Sequence, residues 1–148
     1  MKQQREGGFL IARIHQLAGR VFSRMLREHD VAINPAQGRI LFVLWRDDEI
    51  PITELSKRTS LEKSTLTSML DRLEEAGYIT RVPSKEDRRK ILITRTDKDR
   101  ACQATYVEAS QEMTELYYAG FSEREIERVE GDVRRILHNL GAAETPSS

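Results

Sequence analysis

The chain holds little of what enzymes, metal proteins and secreted proteins are usually built from. Its single cysteine, Cys102, cannot form an internal disulfide, and a reducing compartment is the simplest fit. Cys102 lies in the helical stretch DKDRACQATYVEAS, where cysteine most often acts as a small hydrophobe. Arg100 would favour a thiolate and Asp99 oppose it, so redox sensing is the weaker reading. His15, His29 and His138 are the only histidines, and none has a Cys or His partner at metal-ligand spacing; no metal and no other cofactor is expected. Nucleotide-binding glycine loops, H-E-x-x-H and G-x-S-x-G are all missing, which argues against an enzyme. No run of about 18 apolar residues and no signal-like start occurs, so a soluble, cytoplasmic protein with no membrane partner is expected. Aromatics make up 6% of the residues, which leaves the core to aliphatic side chains.

The chain also lacks net charge, with 24 basic and 24 acidic side chains, and that does not suit a passive coat on nucleic acid. The charges are segregated, however. Residues 53–95 carry 10 Lys and Arg against 7 Asp and Glu, whereas residues 102–148 carry 4 against 9. The acidic last third is not suited to face phosphate.

What is present centres on residues 53–94. Thr53 to Thr59 reads as a short helix with Thr53 as its cap and Leu55 as its core residue. Lys57 and Arg58, at its end, are ordinary solvated residues when taken alone. A second helix follows, capped by Ser60 or a polar neighbour. Leu66, Met69, Leu70, Leu73 and Ala76 form its packing face, and Gly77 stops it. Ser64, Thr65, Thr67 and Ser68 stand on the other side. A solvated surface would accept them, but four hydroxyls in five positions lower helix propensity. Small hydroxyls let a helix approach base edges and phosphates closely, which makes DNA contact the sharper explanation.

Two short strands, Tyr78 to Val82 and Lys90 to Thr94, then flank the loop SKEDRRK. Lys85, Arg88, Arg89 and Lys90 gather at a hairpin tip with no core to build. A long arginine there suits a narrow minor groove, with Asp87 orienting it; a solvated turn of mixed charge is the plainer alternative. Helix-turn-helix plus hairpin spells a winged helix.

The flanks are helical. Met1 to Gly8 reads as a frayed arm and Phe9 to about His29 as a long amphipathic helix. Asn34-Pro35 caps a third stretch through Trp45. Asp97 to Ala119 forms another long helix, packing through Ala101, Ala104, Val107, Met113 and Leu116. Ser122 and Glu125 open a last helix as a capping box; Gly141 ends it, and AETPSS forms a tail. The first and last two helices show more apolar stripe than one small winged helix can cover, so a twofold homodimer is expected.

INPAQGRILFVL, ITELSKRT, STLTSMLDRLEEAGYITR and KEDRRKILITRT, in that order, resemble the MarR family of bacterial and archaeal transcriptional regulators from Phe9 to Gly141. The resemblance implies a mainly α fold with a small β-hairpin wing, in which residues 35–95 form the DNA-binding region and residues 9–30 and 96–141 the dimerisation region. It implies a sequence-specific regulator, typically a repressor, bound as a homodimer to pseudo-palindromic double-stranded DNA and modulated by a small effector. Lys63, Ser64, Thr65, Thr67, Ser68 and Arg72 match the recognition helix. Asp87 and Arg89 match the D-x-R wing motif, flanked by Arg88 and Lys90. An effector cleft between reader and dimerisation region would draw on His15, Ala18, Phe22, Trp45 and Tyr106, each of which fits a core position equally well. One departure stands out: where the family often has T-x-x-G, this chain has Thr96-Asp97-Lys98-Asp99, which leaves the local geometry at the start of the fifth helix open. A reactive first-helix cysteine, as in peroxide-sensing members, is missing. A winged-helix protein-interaction module without sequence-specific DNA binding is the alternative.

Overall fold

A computed structural model of the chain describes residues 4–144. The chain divides into two compact units, residues 1–111 and 112–148.

The first unit contains α1 (Gly7–Glu28), α2 (Pro35–Arg46), β1 (Ile50–Pro51), α3 (Ile52–Thr59), α4 (Lys63–Glu75), β2 (Ile79–Pro83), β3 (Ile91–Arg95) and most of α5 (Asp97–Tyr117). Gly7 and Gly8 lie inside α1, so the frayed arm expected over Met1 to Gly8 is shorter; its first three residues lie outside the described ones. Asn34 caps α2 as expected. Its side chain accepts from the Gln37 N–H at 2.8 Å, and Gln37 accepts from the Asn34 N–H at 3.1 Å.

The core is aliphatic. Leu26, Ile40, Leu41, Leu44, Leu55, Leu66, Leu70, Leu73, Ile79 and Ile93 are fully buried, each burial contributing about 1.5–3 kcal/mol before entropy is counted. Ala76, expected on this face, is exposed at the end of α4.

The strands lie one residue beyond their expected bounds. The Tyr78 N–H is committed to the Leu73 carbonyl at 2.9 Å, closing α4, so pairing begins at Ile79. Gly77 takes φ +90 there, as a helix stop requires. A third strand, β1, pairs antiparallel with β3 through Ile50 and Pro51, giving the order β1-β3-β2. Two residues are too short to announce a strand by alternation.

Two caps are not where they were expected. Ser60, with φ 60, is the left-handed end of α3, and Glu62 precedes α4 with no side-chain cap. Thr53 lies within α3, which starts after Pro51. The face of α5 also differs. Asp99, Tyr106 and Ala109 are buried, whereas Ala101 and Ala104 are exposed. Polar bonds from Asp99 and the close seat of Tyr106 against α2 set its rotation more than its alanines do.

In the second unit α5 ends at Tyr117, two residues short of the expected Ala119; Gly120 takes φ +85, and α6 (Glu123–Glu144) follows. Ser122 and Glu125 cap α6 reciprocally, at 2.9 and 3.2 Å. The helix runs through Gly141, which therefore does not end it; the last four residues of the expected tail lie outside the described ones. No residue of α6 is buried, and Val133, Ile136, Leu137 and Leu140 form an exposed stripe. Within the first unit, Phe9, Leu10, Ile11, Ile14 and Leu17 of α1 are exposed likewise.

Candidate nucleic-acid interface

The α3–α4 turn is held by hydroxyls. Thr59 Oγ1 donates to the Leu55 carbonyl at 2.6 Å and Ser56 Oγ to the Leu61 carbonyl at 2.7 Å. With the turn fixed and Leu66, Leu70 and Leu73 in the core, the opposite face of α4 is turned outward. Lys63, Ser64, Thr65, Thr67, Ser68 and Arg72 are all exposed there, so the structure brings the recognition-helix candidates to one surface. The Thr67 hydroxyl donates to its own helix, at the Lys63 carbonyl 2.8 Å away. The side chain is exposed, and its oxygen keeps its capacity to accept.

Three residues that sequence reasoning did not single out anchor this helix. Arg81 on β2 donates to Asp71 and to Glu74, each at 2.8 Å, and its backbone N–H donates to Glu74 at 3.1 Å. At the C-terminus of α4, Lys98 Nζ donates to the Ala76 carbonyl and Thr96 Oγ1 to the Gly77 carbonyl, both at 2.6 Å. A cation belongs at that end of the helix dipole. The partners are 7 to 22 residues apart, beyond the reach of local pattern.

The wing tip is organised by Ser84 and Asp87. Ser84 Oγ accepts from the backbone of Glu86 and Asp87, at 3.2 and 3.4 Å, and the Ser84 N–H closes on the Lys90 carbonyl at 2.8 Å. Asp87 Oδ1 accepts from the Arg89 backbone at 3.1 Å and from its Nε at 3.3 Å. The Arg89 side chain is otherwise 92% exposed, so one edge of the guanidinium is held while the other faces outward. Lys85, Arg88 and Lys90 are exposed around it. Ser84 is the tip residue that charge counting overlooked; a hydroxyl two residues ahead of an acidic turn is the signal that finds it.

The five effector candidates do not share one site. His15 lines a groove of about 590 Å³ between α1 and the start of α2, with Arg20, Arg27, Asn34 and Arg39. Phe22, Trp45 and Tyr106 pack together instead: the Tyr106 ring meets Phe22 edge-on at 5.5 Å and Trp45 at 5.1 Å. Burial pushes the Tyr106 hydroxyl up to about 12, with Cys102 adding to the shift. Ala18 is half-buried on α1 and does not line the groove. Cys102 packs against the core, and burial followed by Asp99 raises its pKa, which Lys98 partly offsets. Among the described residues no three His, Cys, Asp or Glu side chains gather where a metal could sit, and no helix is long and apolar enough to cross a membrane.

A helix with a bared polar face, seated by a preceding helix and followed by a cationic hairpin, defines a winged helix-turn-helix protein. Comparison with known proteins narrows the class. The MarR family profile matches residues 33–91. The HTH-type transcriptional repressor IacR of Pseudomonas putida is 25% identical over 132 residues, 89% of this chain and 78% of that protein. The HTH-type transcriptional regulator TtmR of Methylorubrum extorquens is 34% identical over 82 residues; that match takes in 55% of this chain and spans 41% of TtmR's length. The crystal structure of a mutant Escherichia coli MarR complexed with operator DNA superposes with a TM-score of 0.78 at 27% identity, covering 88% of this chain and 92% of that one. The chain is similar to MarR family transcriptional regulators, by the family profile over residues 33–91 and by the fold of the solved MarR over 88% of this chain.

Proposed function

We propose that the protein is a sequence-specific double-stranded-DNA-binding regulator that occupies pseudo-palindromic operators as a homodimer and acts as a repressor. The observation that carries this reading is the pairing of an outward hydroxyl face on α4 with a wing arginine held by Asp87 and otherwise free. In this reading residues 35–95 are the DNA-binding region, while residues 9–30 and 96–141 join the two copies. Ser64, Thr65, Thr67 and Ser68 meet base edges and Lys63 and Arg72 the phosphates beside them. Arg89 enters the minor groove, with Arg88 and Lys90 on the flanking backbone. The exposed apolar stripes of α1 and α6 support a partner copy, whose reader addresses a half-site roughly 34–36 Å away.

The protein is not an enzyme on this reading, and it works in the cytoplasm beside its DNA. A small effector acts by binding the DNA-incompetent arrangement of the dimer better than the competent one; equal affinity for both would shift nothing. Of the five candidates His15 stands at the groove proposed for the effector, while Phe22, Trp45 and Tyr106 pack together apart from it. The α1–α2 groove with its three arginines suits an anionic molecule.

Selection of bound fragments from genomic DNA, followed by titration at defined salt, tests the reading. Recovery of an inverted repeat, bound about a thousandfold tighter than scrambled duplex, is the expected result. Equal affinity for every duplex at every ionic strength would overturn it in favour of a protein-interaction module.

A further inference from the structure

Asp99, in the first turn of α5, is 0% exposed. A carboxylate so placed is costly unless its oxygens are taken up. Here both are. Trp45 Nε1 donates to Oδ1 at 3.0 Å and to Oδ2 at 3.1 Å, and Arg95 Nε donates to Oδ2 at 2.5 Å. The rest of Arg95 is equally committed. Its guanidinium donates to Gln103 Oε1 at 2.5 Å, and its backbone N–H donates to Asp48 Oδ1 at 2.9 Å.

Arg95 is the last residue of β3, paired across the ladder with Ile79, and β3 is the strand that returns from the Asp87–Arg89 tip. Trp45 leads the other way, edge-on to Tyr106, which is edge-on to Phe22. A continuous set of contacts therefore joins the wing's return strand to α2, α5 and α1, and its centre is a buried carboxylate.

We propose that Asp99 is a positioning residue for the wing: it fixes Arg95, and with it the angle at which β3 carries the Arg89 tip, and it ties that angle to the Trp45–Tyr106–Phe22 stack. The consequence for DNA binding rests on the wing being a DNA contact, as proposed above. The grip on β3 does not. Asp99 itself touches no DNA; it acts through Arg95.

The protein is compared with Asp99→Asn, which keeps the shape and one acceptor without the charge, and with Asp99→Gly, which removes the side chain altogether. Hydrogen exchange of the β3 amides should quicken about tenfold in both variants while exchange in α4 is unchanged. Emission from Trp45, the one tryptophan, should shift with loss of its carboxylate partner. On the selected operator, the loss caused by Arg89→Ala should shrink about tenfold when Asp99 is also replaced, because a misaimed wing has little left to lose. Loss from Thr67→Ala should keep its full size in both backgrounds. A general loss of stability would not produce that split.

Unchanged β3 exchange together with unchanged Trp45 emission would overturn the proposal, as would strict additivity of the Asp99 and Arg89 replacements. If the unaltered protein selects no duplex, the DNA reading fails, and exchange and emission alone then decide whether Asp99 holds the wing. Should the Asn variant fail to fold, the Gly variant, which removes the carboxylate along with its burial, carries the same comparison.

Discussion

A methyl group added at Gly38 would have nowhere to go. Its position lies 1.9 Å from Tyr106 Oη and 2.6 Å from Cζ, far inside van der Waals contact. Gly38 is in the middle of α2, where alanine would ordinarily stabilise by about 1 kcal/mol through helix propensity. Against that stands an overpacking cost of about 1–3 kcal/mol as the ring is displaced. Tyr106 cannot move alone, since it is wedged between Phe22 and Trp45, and each edge-to-face contact contributes about 0.5–1.5 kcal/mol. The balance for Gly38→Ala is a loss of about 2 kcal/mol, read as a lower urea midpoint at unchanged slope. Gly19→Ala, which meets nothing within 4 Å, serves as the control and should be neutral or slightly stabilising. Adding Tyr106→Phe should recover part of the loss by removing the nearest clashing atom. If Gly38→Ala instead raised the midpoint as much as the control, the seating of α5 on α2 described above would be wrong.

Other outcomes follow from the same geometry. Arg89→Ala should weaken operator binding by about 1–3 kcal/mol and flatten its salt dependence while the dimer stays intact by light scattering; undiminished affinity would remove Arg89 from the contact set. Thr67→Ala should cost more on operator than on scrambled duplex, and equal losses would argue against base reading. Leu137→Glu on the α6 stripe, where Leu137 is 61% exposed, should yield monomer at micromolar concentration by sedimentation. Tyr106 holds its proton in the fold up to about 12, whereas unfolded tyrosine loses it near 10. The unfolded state therefore deprotonates first, so stability is complete below pH 10 and declines as pH rises towards 12, by about 2–3 kcal/mol. Tyr106→Phe should make that limb of the denaturation profile shallower.

Features whose partners sit a few residues apart were legible in the sequence. Asn34 as a cap, Ser122 with Glu125, and Asp87 with Arg89 each bond two or three positions away, and the structure has those bonds, adding Gln37 as the reciprocal partner of Asn34. The hydroxyl face of α4 was legible because Leu66, Leu70 and Leu73 repeat at helical spacing and leave the rest outward. What escaped depends on the fold being already made. Trp45 meets Asp99 across 54 residues, and nothing near Asp99 marks it as buried; its charge points to the surface. The face of α5 was misjudged for that reason, since alanines carry too little surface to overrule a paired carboxylate and a wedged tyrosine. Ser60 in the left-handed region is another such case, because turns of that shape usually advertise themselves with glycine.

The bond from the Thr67 hydroxyl to the Lys63 carbonyl limits what that side chain could say to a base. With its hydrogen spent inside the helix, Thr67 is left as a receiver with a greasy tip. The exocyclic amino groups of adenine and cytosine can answer the oxygen, and the thymine methyl can answer the methyl; the two acceptor atoms of guanine in the major groove can answer neither. An operator read through this helix would therefore tend to avoid guanine under Thr67, a bias in spelling that comes from one internal hydrogen bond.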